Sequence, residues 1–278
     1  MKCNYHTHTT YCDGKEEMKT FVQKAIELQF DHLGFSSHAP ILKENDFSIQ
    51  KEEIPLYIAD IEKYQLEFPN ITLFKALECD FIPELTYPFD YFKDTFNLDY
   101  IIGGVHLVKV LGQDKIWFID GSKQQIYDDG LSILFQNNIK KAVTAFWEQT
   151  FEMIETQKFD IIAHLDKIKM HNQNRFFNEK EKWYIDLVDH AISLLYKHNV
   201  IVEINSRGIY KRRCSDFYPS DYILKEIAKK GIAVVISSDA HKSDELDLFY
   251  EEAKTKLKSF GIGELVYKTV NGWKNDLF

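Results

Sequence analysis

Nine residues of metal-binding type recur at or near the ends of short apolar runs, and their spacing suits a site that gathers several cations. The set begins in Asn-Tyr-His-Thr-His-Thr-Thr at residues 4–10, where His6 and His8 stand two apart and would share one face of an extended strand. Asp13 follows in Cys12-Asp13-Gly14. His38, Glu78, His106 and His164 each close an apolar run, and Asp239 and His241 close the last. A histidine that ends an apolar strand is, by itself, an ordinary core residue. Six of seven run ends carrying His, Asp or Glu, with H-x-H and D-x-H at the two extremes, form a ligand pattern. Asp13 taken alone would also suit a turn before a helix. Nine ligands exceed the needs of one four- or five-coordinate ion, so two to three divalent transition-metal ions are expected. Imidazole and carboxylate without thiolate suit Zn, Mn or Fe, with Glu78 or Asp239 as a bridge between ions. Such a cluster acidifies a bridging water and clamps a phosphate oxyanion, which is the chemistry of phosphate-ester hydrolysis.

The elements that must position these residues alternate. Apolar runs at Asn4–Thr9, His32–His38, Thr72–Glu78, Tyr100–His106, Asp160–His164, Val200–Asn205 and Ile232–His241 read as strands. Between them, Lys15–Gln29, Pro55–Phe68, Ile139–Thr156, Lys180–His198, Ser220–Lys230 and Glu245–Phe260 read as helices, most from apolar residues at helical spacing. Strands that are apolar throughout, such as Val234-Val235-Ile236, imply a parallel sheet covered on both faces. An open sheet would spread six strand ends along a crevice, whereas a barrel brings them to one mouth. The expected fold is therefore a seven-stranded α/β barrel, (β/α)7, within a single domain spanning residues 1–278. Only the interval from His106 to His164, 58 residues, needs an extra segment beyond one helix. Glu203 shares a face with Asn205, deeper in the barrel, where a packed polar layer is its expected role.

Composition sets the class. Hydrophobic residues at 45% and charged residues at 28% fit a globular enzyme with a full core. The four cysteines, Cys3, Cys12, Cys79 and Cys214, form no C-x-x-C pair, so a reducing compartment and a cytoplasmic location are expected. No apolar run is long enough to span a membrane, and neither a signal peptide nor a removable leader is expected. A net charge of −9 with no basic stripe argues against a nucleic-acid partner. The expected partner is a small-molecule phosphomonoester. Arg207, just past the sixth strand, is the first candidate to hold its phosphate, and Lys169 on the loop after His164 is the second. Other phosphatase routes lack their residues: there is no D-x-D-x-[TV], no C-x5-R, no G-x-S-x-G and no P-loop. Direct attack by a metal-bridging hydroxide is the mechanism that remains. The leaving alcohol needs an acid, for which Asp239 and His241 are both candidates.

Six segments together resemble the PHP (polymerase and histidinol phosphatase) family. They are Y-H-T-H-T at 5–9, S-S-H-A at 36–39, A-L-E-C at 76–79, G-V-H at 104–106, A-H at 163–164 and S-S-D-A-H at 237–241. The likeness runs from residue 4 to about residue 245. Within the family the chain is most similar to the histidinol-phosphate phosphatases, through G-V-H-L-V at 104–108, W-F-I-D at 117–120 and E-I-N-S-R-G at 203–208. The resemblance implies a distorted (β/α)7 barrel with a trinuclear metal centre, all nine ligand positions being matched. It also implies hydrolysis of histidinol phosphate in histidine biosynthesis. Trp117 would then stack on the imidazole and Asp120 would take the substrate amine. Two alternatives remain at this point. One is a phosphoesterase of the same family acting on nucleotides, DNA ends or phosphotyrosine. The other is a metal-binding module without catalysis, against which the complete ligand set argues.

Overall fold

The computed structural model describes all residues except 111, 113 and 114, among which no helix is long and apolar enough to cross a membrane. Seven parallel strands carry the architecture: β1 (Cys3–Asn4), β2 (His32–Phe35), β3 (Thr72–Asp80), β4 (Tyr100–Gly104), β7 (Ile161–Ile162), β8 (Ile201–Asn205) and β9 (Val234–Ser237). They pair in that order. The first and last meet through a parallel bridge between Thr7 and Ala240, where His8 N–H donates to Ala240 O at 2.8 Å and Ala240 N–H to His6 O at 3.2 Å. The sheet is thus a nearly closed, distorted (β/α)7 barrel, as the alternation of strand and helix predicts.

Helices cover its outside: α1 (Met18–Glu27), α2 (Ile54–Glu67), α3 (Phe89–Phe96), α5 (Ile139–Thr156), α6 (Lys182–His198), α8 (Asp221–Lys230) and α9 (Tyr250–Ser259). Their ends follow local chemistry. Asn138 accepts a hydrogen bond from Lys141 N–H at the start of α5, and Gly231 at φ 65° ends α8 behind Lys229 and Lys230. The long interval before β7 holds the extra segment expected of it. It consists of an antiparallel hairpin, β5 (Leu107–Lys109) with β6 (Ile116–Phe118), and a helix, α4 (Gln124–Phe135). A short helix, α7 (Arg207–Tyr210), follows β8.

Both faces of the strands are buried, which explains their unbroken hydrophobicity. Leu77, Ile101, Val202 and Ile204 face the helices. Tyr5, Phe74, Ala76, Tyr100, Ile102, Ile161, Ile201 and Val235 fill the barrel. A C-terminal hairpin, β10 (Glu264–Thr269) with β11 (Gly272–Leu277), packs beneath them, and Trp273 lies edge-on to Tyr5 at 5.2 Å between ring centroids. No periodic signal in the sequence marks that hairpin as part of the barrel. Along β3 the inward positions Phe74 and Ala76 are followed by Glu78, so apolar filling gives way to ligands at the carboxyl end.

Candidate metal centre

Glu78 lies within the ladder of β3 and β4, but the other ladders stop short of the candidate ligands. β1 ends at Asn4, so His6 and His8 are not placed by a regular strand as their spacing suggests; isolated bridges beyond the sheet position them. The bridge at Thr7 and Ala240 interlocks the H-x-H and D-x-H segments, and a second, between His38 and Glu78, does the same for the next pair. Two ligand residues adopt left-handed backbone, His164 at φ 30° and Asp239 at φ 53°. This conformation is costly for residues with a Cβ and collects at functional sites. Gly104 makes room for His164, since a Cβ there would lie 3.2 Å from His164 Cε1 and 3.5 Å from both Glu78 Oε1 and His106 Cε1.

All nine candidate ligands converge. Three groups contain every one of them: His8, Asp13, His38 and His241; His6, His8 and Asp239; Glu78, His106 and His164. Glu78 stands at the centre. Its Oε2 lies 3.0 Å from His6 Nε2, 3.3 Å from His8 Nε2 and 3.3 Å from His38 Nδ1. Its Oε1 faces the other way, 3.1 Å from His164 Nε2 and 3.5 Å from His106 Nε2. On the far side, His241 Nε2 is 3.0 Å from Asp13 Oδ2, and Asp239 Oδ1 is 3.4 Å from His8 Nε2. His6 Nε2, His8 Nε2, His38 Nδ1 and Asp13 Oδ1 are buried without a hydrogen-bond partner among the described residues. Buried polar atoms are rarely left so, and lone pairs aimed at a common point fit a bound cation. The donor set fits divalent metal.

Carboxylates behind the ligands hold the rings. Glu203 Oε1 accepts from His6 Nδ1–H at 2.6 Å, while its Oε2 accepts from His164 N–H and Asn205 Nδ2, both at 2.9 Å. Asp80 Oδ1 accepts from His106 Nδ1–H. Burial works against charge throughout the cluster. It takes His8 down to about 3, aided by His241 and His38, and His164 down to about 4, aided by Lys167. At His6, burial is outweighed by the carboxylates of Glu203, Glu78 and Asp239, which raise its pKa. Burial likewise opposes ionisation of Glu78, yet His6, His38 and His106 hold it well below the usual carboxylate range.

The ligands open into a cavity of about 490 Å³. Arg207 and Lys167 line it with Phe118, Asp120, Gly121 and Ser122. A PHP domain profile matches residues 4–207 of this sequence, well over half of the chain.

The chain belongs to the PHP domain family.

Full-length relatives accompany that match. This PHP chain is 24% identical over 263 residues to a Deinococcus radiodurans protein named "Probable histidinol-phosphatase", covering 93% of this chain and 94% of that one. It is 22% identical over 269 residues to the histidinol-phosphatase of Bacillus subtilis, covering 88% and 96%. A histidinol phosphate phosphatase from Lactococcus lactis, solved with zinc, L-histidinol and phosphate, superposes with a TM-score of 0.70 at 19% identity over 98% of each chain.

Two expectations for the PHP cavity need correction. Trp117 does not face it. On β6 the indole points into the core against Tyr127 and Phe135, and its Nε1–H donates to Tyr127 O at 3.0 Å. Side chains alternate along a strand, so the neighbour, Phe118, is the aromatic at the cavity wall. Lys169 is also turned away, its Nζ lying 2.9 Å from Asp166 Oδ2 and donating to Phe217 O at 2.9 Å. Lys167, two residues earlier in the same short 3-10 turn, reaches the cavity instead and pairs with Asp120 Oδ2 at 2.8 Å. Arg207 does line the cavity, held by Asp239 O and by Tyr210 Oη at 3.3 Å. Sequence reasoning missed Asp80 as well as Lys167. Asp80 lies two residues past Glu78 on the same strand, a period-two signal that could have found it.

Proposed function

We propose that this chain hydrolyses L-histidinol phosphate to L-histidinol and phosphate, with residues 1–278 acting as one domain in the cytoplasm. The observation that carries this is the placing of Glu78, with one carboxylate oxygen turned to His6, His8 and His38 and the other to His106 and His164, at the floor of a cavity walled by cations. The enzyme is a metal-dependent phosphomonoesterase. Two to three divalent ions, of Zn, Mn or Fe, are the loading that these overlapping ligand groups suit. When bound they supply Lewis-acid charge for the phosphate oxygens and lower the pKa of water.

The chain's own residues do the rest. Arg207, fixed by Asp239 O and Tyr210, presents its remaining N–H groups to the phosphate. Water attacks phosphorus in line with the departing alcohol oxygen, and no phosphoenzyme forms. Electrostatic stabilisation of the equatorial oxygens supplies most of the acceleration in such transfers. The leaving alcohol takes its proton by way of Asp239 or His241, which line the cavity beside Arg207. Phe118 offers a surface to the imidazole ring and Asp120 a carboxylate to the ammonium group.

A phosphate-release screen tests the reading. Histidinol phosphate should turn over with kcat/KM of about 10⁴ M⁻¹s⁻¹ or better, and nucleotides, phosphotyrosine and p-nitrophenyl phosphate ~100-fold more slowly, a difference of about 2.7 kcal/mol. Equal rates on all four would defeat the substrate assignment.

A further inference from the structure

Lys167 lies in the cavity, only 5% exposed. An ammonium carries three N–H donors. Among the described residues the one ion-pair partner of Lys167 is Asp120, at 2.8 Å, which leaves donors free toward the cavity. Lys167 and Arg207 both line the cavity with Asp239, and Arg207 Nε lies 3.8 Å from Asp239 Oδ2. Asp120 in turn stands 3.8 Å from His106 Nε2, at the edge of the metal ligands. The pair therefore sits where a bound phosphomonoester would bring an anion within reach of Lys167. The same molecule, if it carries an amine, would bring a cation within reach of Asp120.

We infer that Lys167 is a second phosphate-binding residue, and that its ion pair with Asp120 opens on substrate binding: Lys167 turns to the phosphate and Asp120 to the substrate's ammonium. This rests on the reading that the substrate is an amine-bearing phosphomonoester. A buried charge without its partner is disfavoured, so a ligand that brings both charges gains most from the exchange, while a bare phosphate reaches only the donors that Lys167 has free. An ester lacking the amine strands Asp120, and the pair thereby selects for a zwitterionic substrate rather than merely for phosphate.

Three variants of the metal-loaded enzyme test this, and two of them give results of opposite sign. Lys167→Met should weaken competitive inhibition by inorganic phosphate and raise the KM for both histidinol phosphate and p-nitrophenyl phosphate by about tenfold or more, the usual cost of a lost charge-assisted contact. Lys167→Arg, which keeps the charge, should restore phosphate inhibition to within about threefold and so separates charge from packing. Asp120→Asn should raise the KM for histidinol phosphate yet lower the Ki of inorganic phosphate, because Lys167 is no longer held back. A role for Asp120 in packing alone would weaken both. Weaker phosphate binding in Asp120→Asn, or an unchanged phosphate Ki in Lys167→Met, overturns the exchange. The phosphate measurements stand even if the unaltered enzyme shows no preference for histidinol phosphate, a result that would defeat only the substrate reading.

Discussion

Glu203 and His6 are 197 positions apart in the chain, yet Glu203 Oε1 lies 2.6 Å from His6 Nδ1, with both side chains fully buried. The carboxylate reaches across the seam where the barrel closes and turns His6 Nε2 toward Glu78. Its second oxygen holds His164 N–H, so one buried group orients ligands on two sides of the cluster.

Glu203→Gln should therefore cost metal affinity more than fold. Replacing such an outer carboxylate typically weakens metal binding by about 10- to 100-fold. Competition against a chromogenic chelator measures this, and an unchanged affinity would reduce Glu203 to packing.

Metal removal should abolish turnover. Protein purified without chelator should carry two to three transition ions per chain by elemental analysis, in line with the overlapping ligand groups. Full activity at less than one ion per chain would refute a shared centre.

Arg207→Ala should raise the KM for a phosphomonoester while metal content stays unchanged. The lost charge-assisted contact corresponds to roughly 2–4 kcal/mol in kcat/KM. Steady-state kinetics beside metal analysis decides it, and an unaltered KM would pass the phosphate role to Lys167 alone.

Trp117→Ala should act on stability. The indole is fully buried, so its removal should cost about 3–5 kcal/mol of folding free energy. Gly130→Ala should disturb the same contact from the other side, because a Cβ there would lie 2.1 Å from Trp117 Cδ1. Denaturant melts test both. A large loss of substrate affinity in Trp117→Ala with unchanged stability would return the indole to the cavity.

His171 sets a pH response outside the metal ligands. Its Nε2–H donates to Gly121 O at 2.7 Å, at the cavity wall, and burial lowers its pKa below the ordinary 6.5. The unfolded chain then binds a proton more readily than the folded one. The contribution is fully present above pH ~6.5 and is lost as pH falls through the lower folded value. His171→Gln should flatten the fall in Tm between pH 7 and 5, and an unchanged slope would assign that fall elsewhere.

The sequence alone determined which residues converge at the carboxyl ends of the strands and which architecture gathers them. Ligand type and strand-end position are local properties, and parallel strands buried on both faces leave a continuous apolar signature at each ligand-bearing run. His6, His8, Glu78 and Asp239 were legible for that reason, and so was the barrel. Which way a side chain turns on an isolated two-stranded hairpin or a one-turn helix was not legible. A single step along β6 exchanges Trp117 for Phe118, and a two-residue step in a 3-10 turn exchanges Lys169 for Lys167. Both neighbours are chemically plausible, and only packing against Tyr127, Phe135, Asp166 and Phe217 separates them. Tertiary structure alone paired Glu203 with His6 and Asp80 with His106 behind the ligands, and Asp120 with Lys167 at the cavity wall. Such pairings depend on distance in space between residues far apart in the chain, for which a single sequence carries no periodic signal.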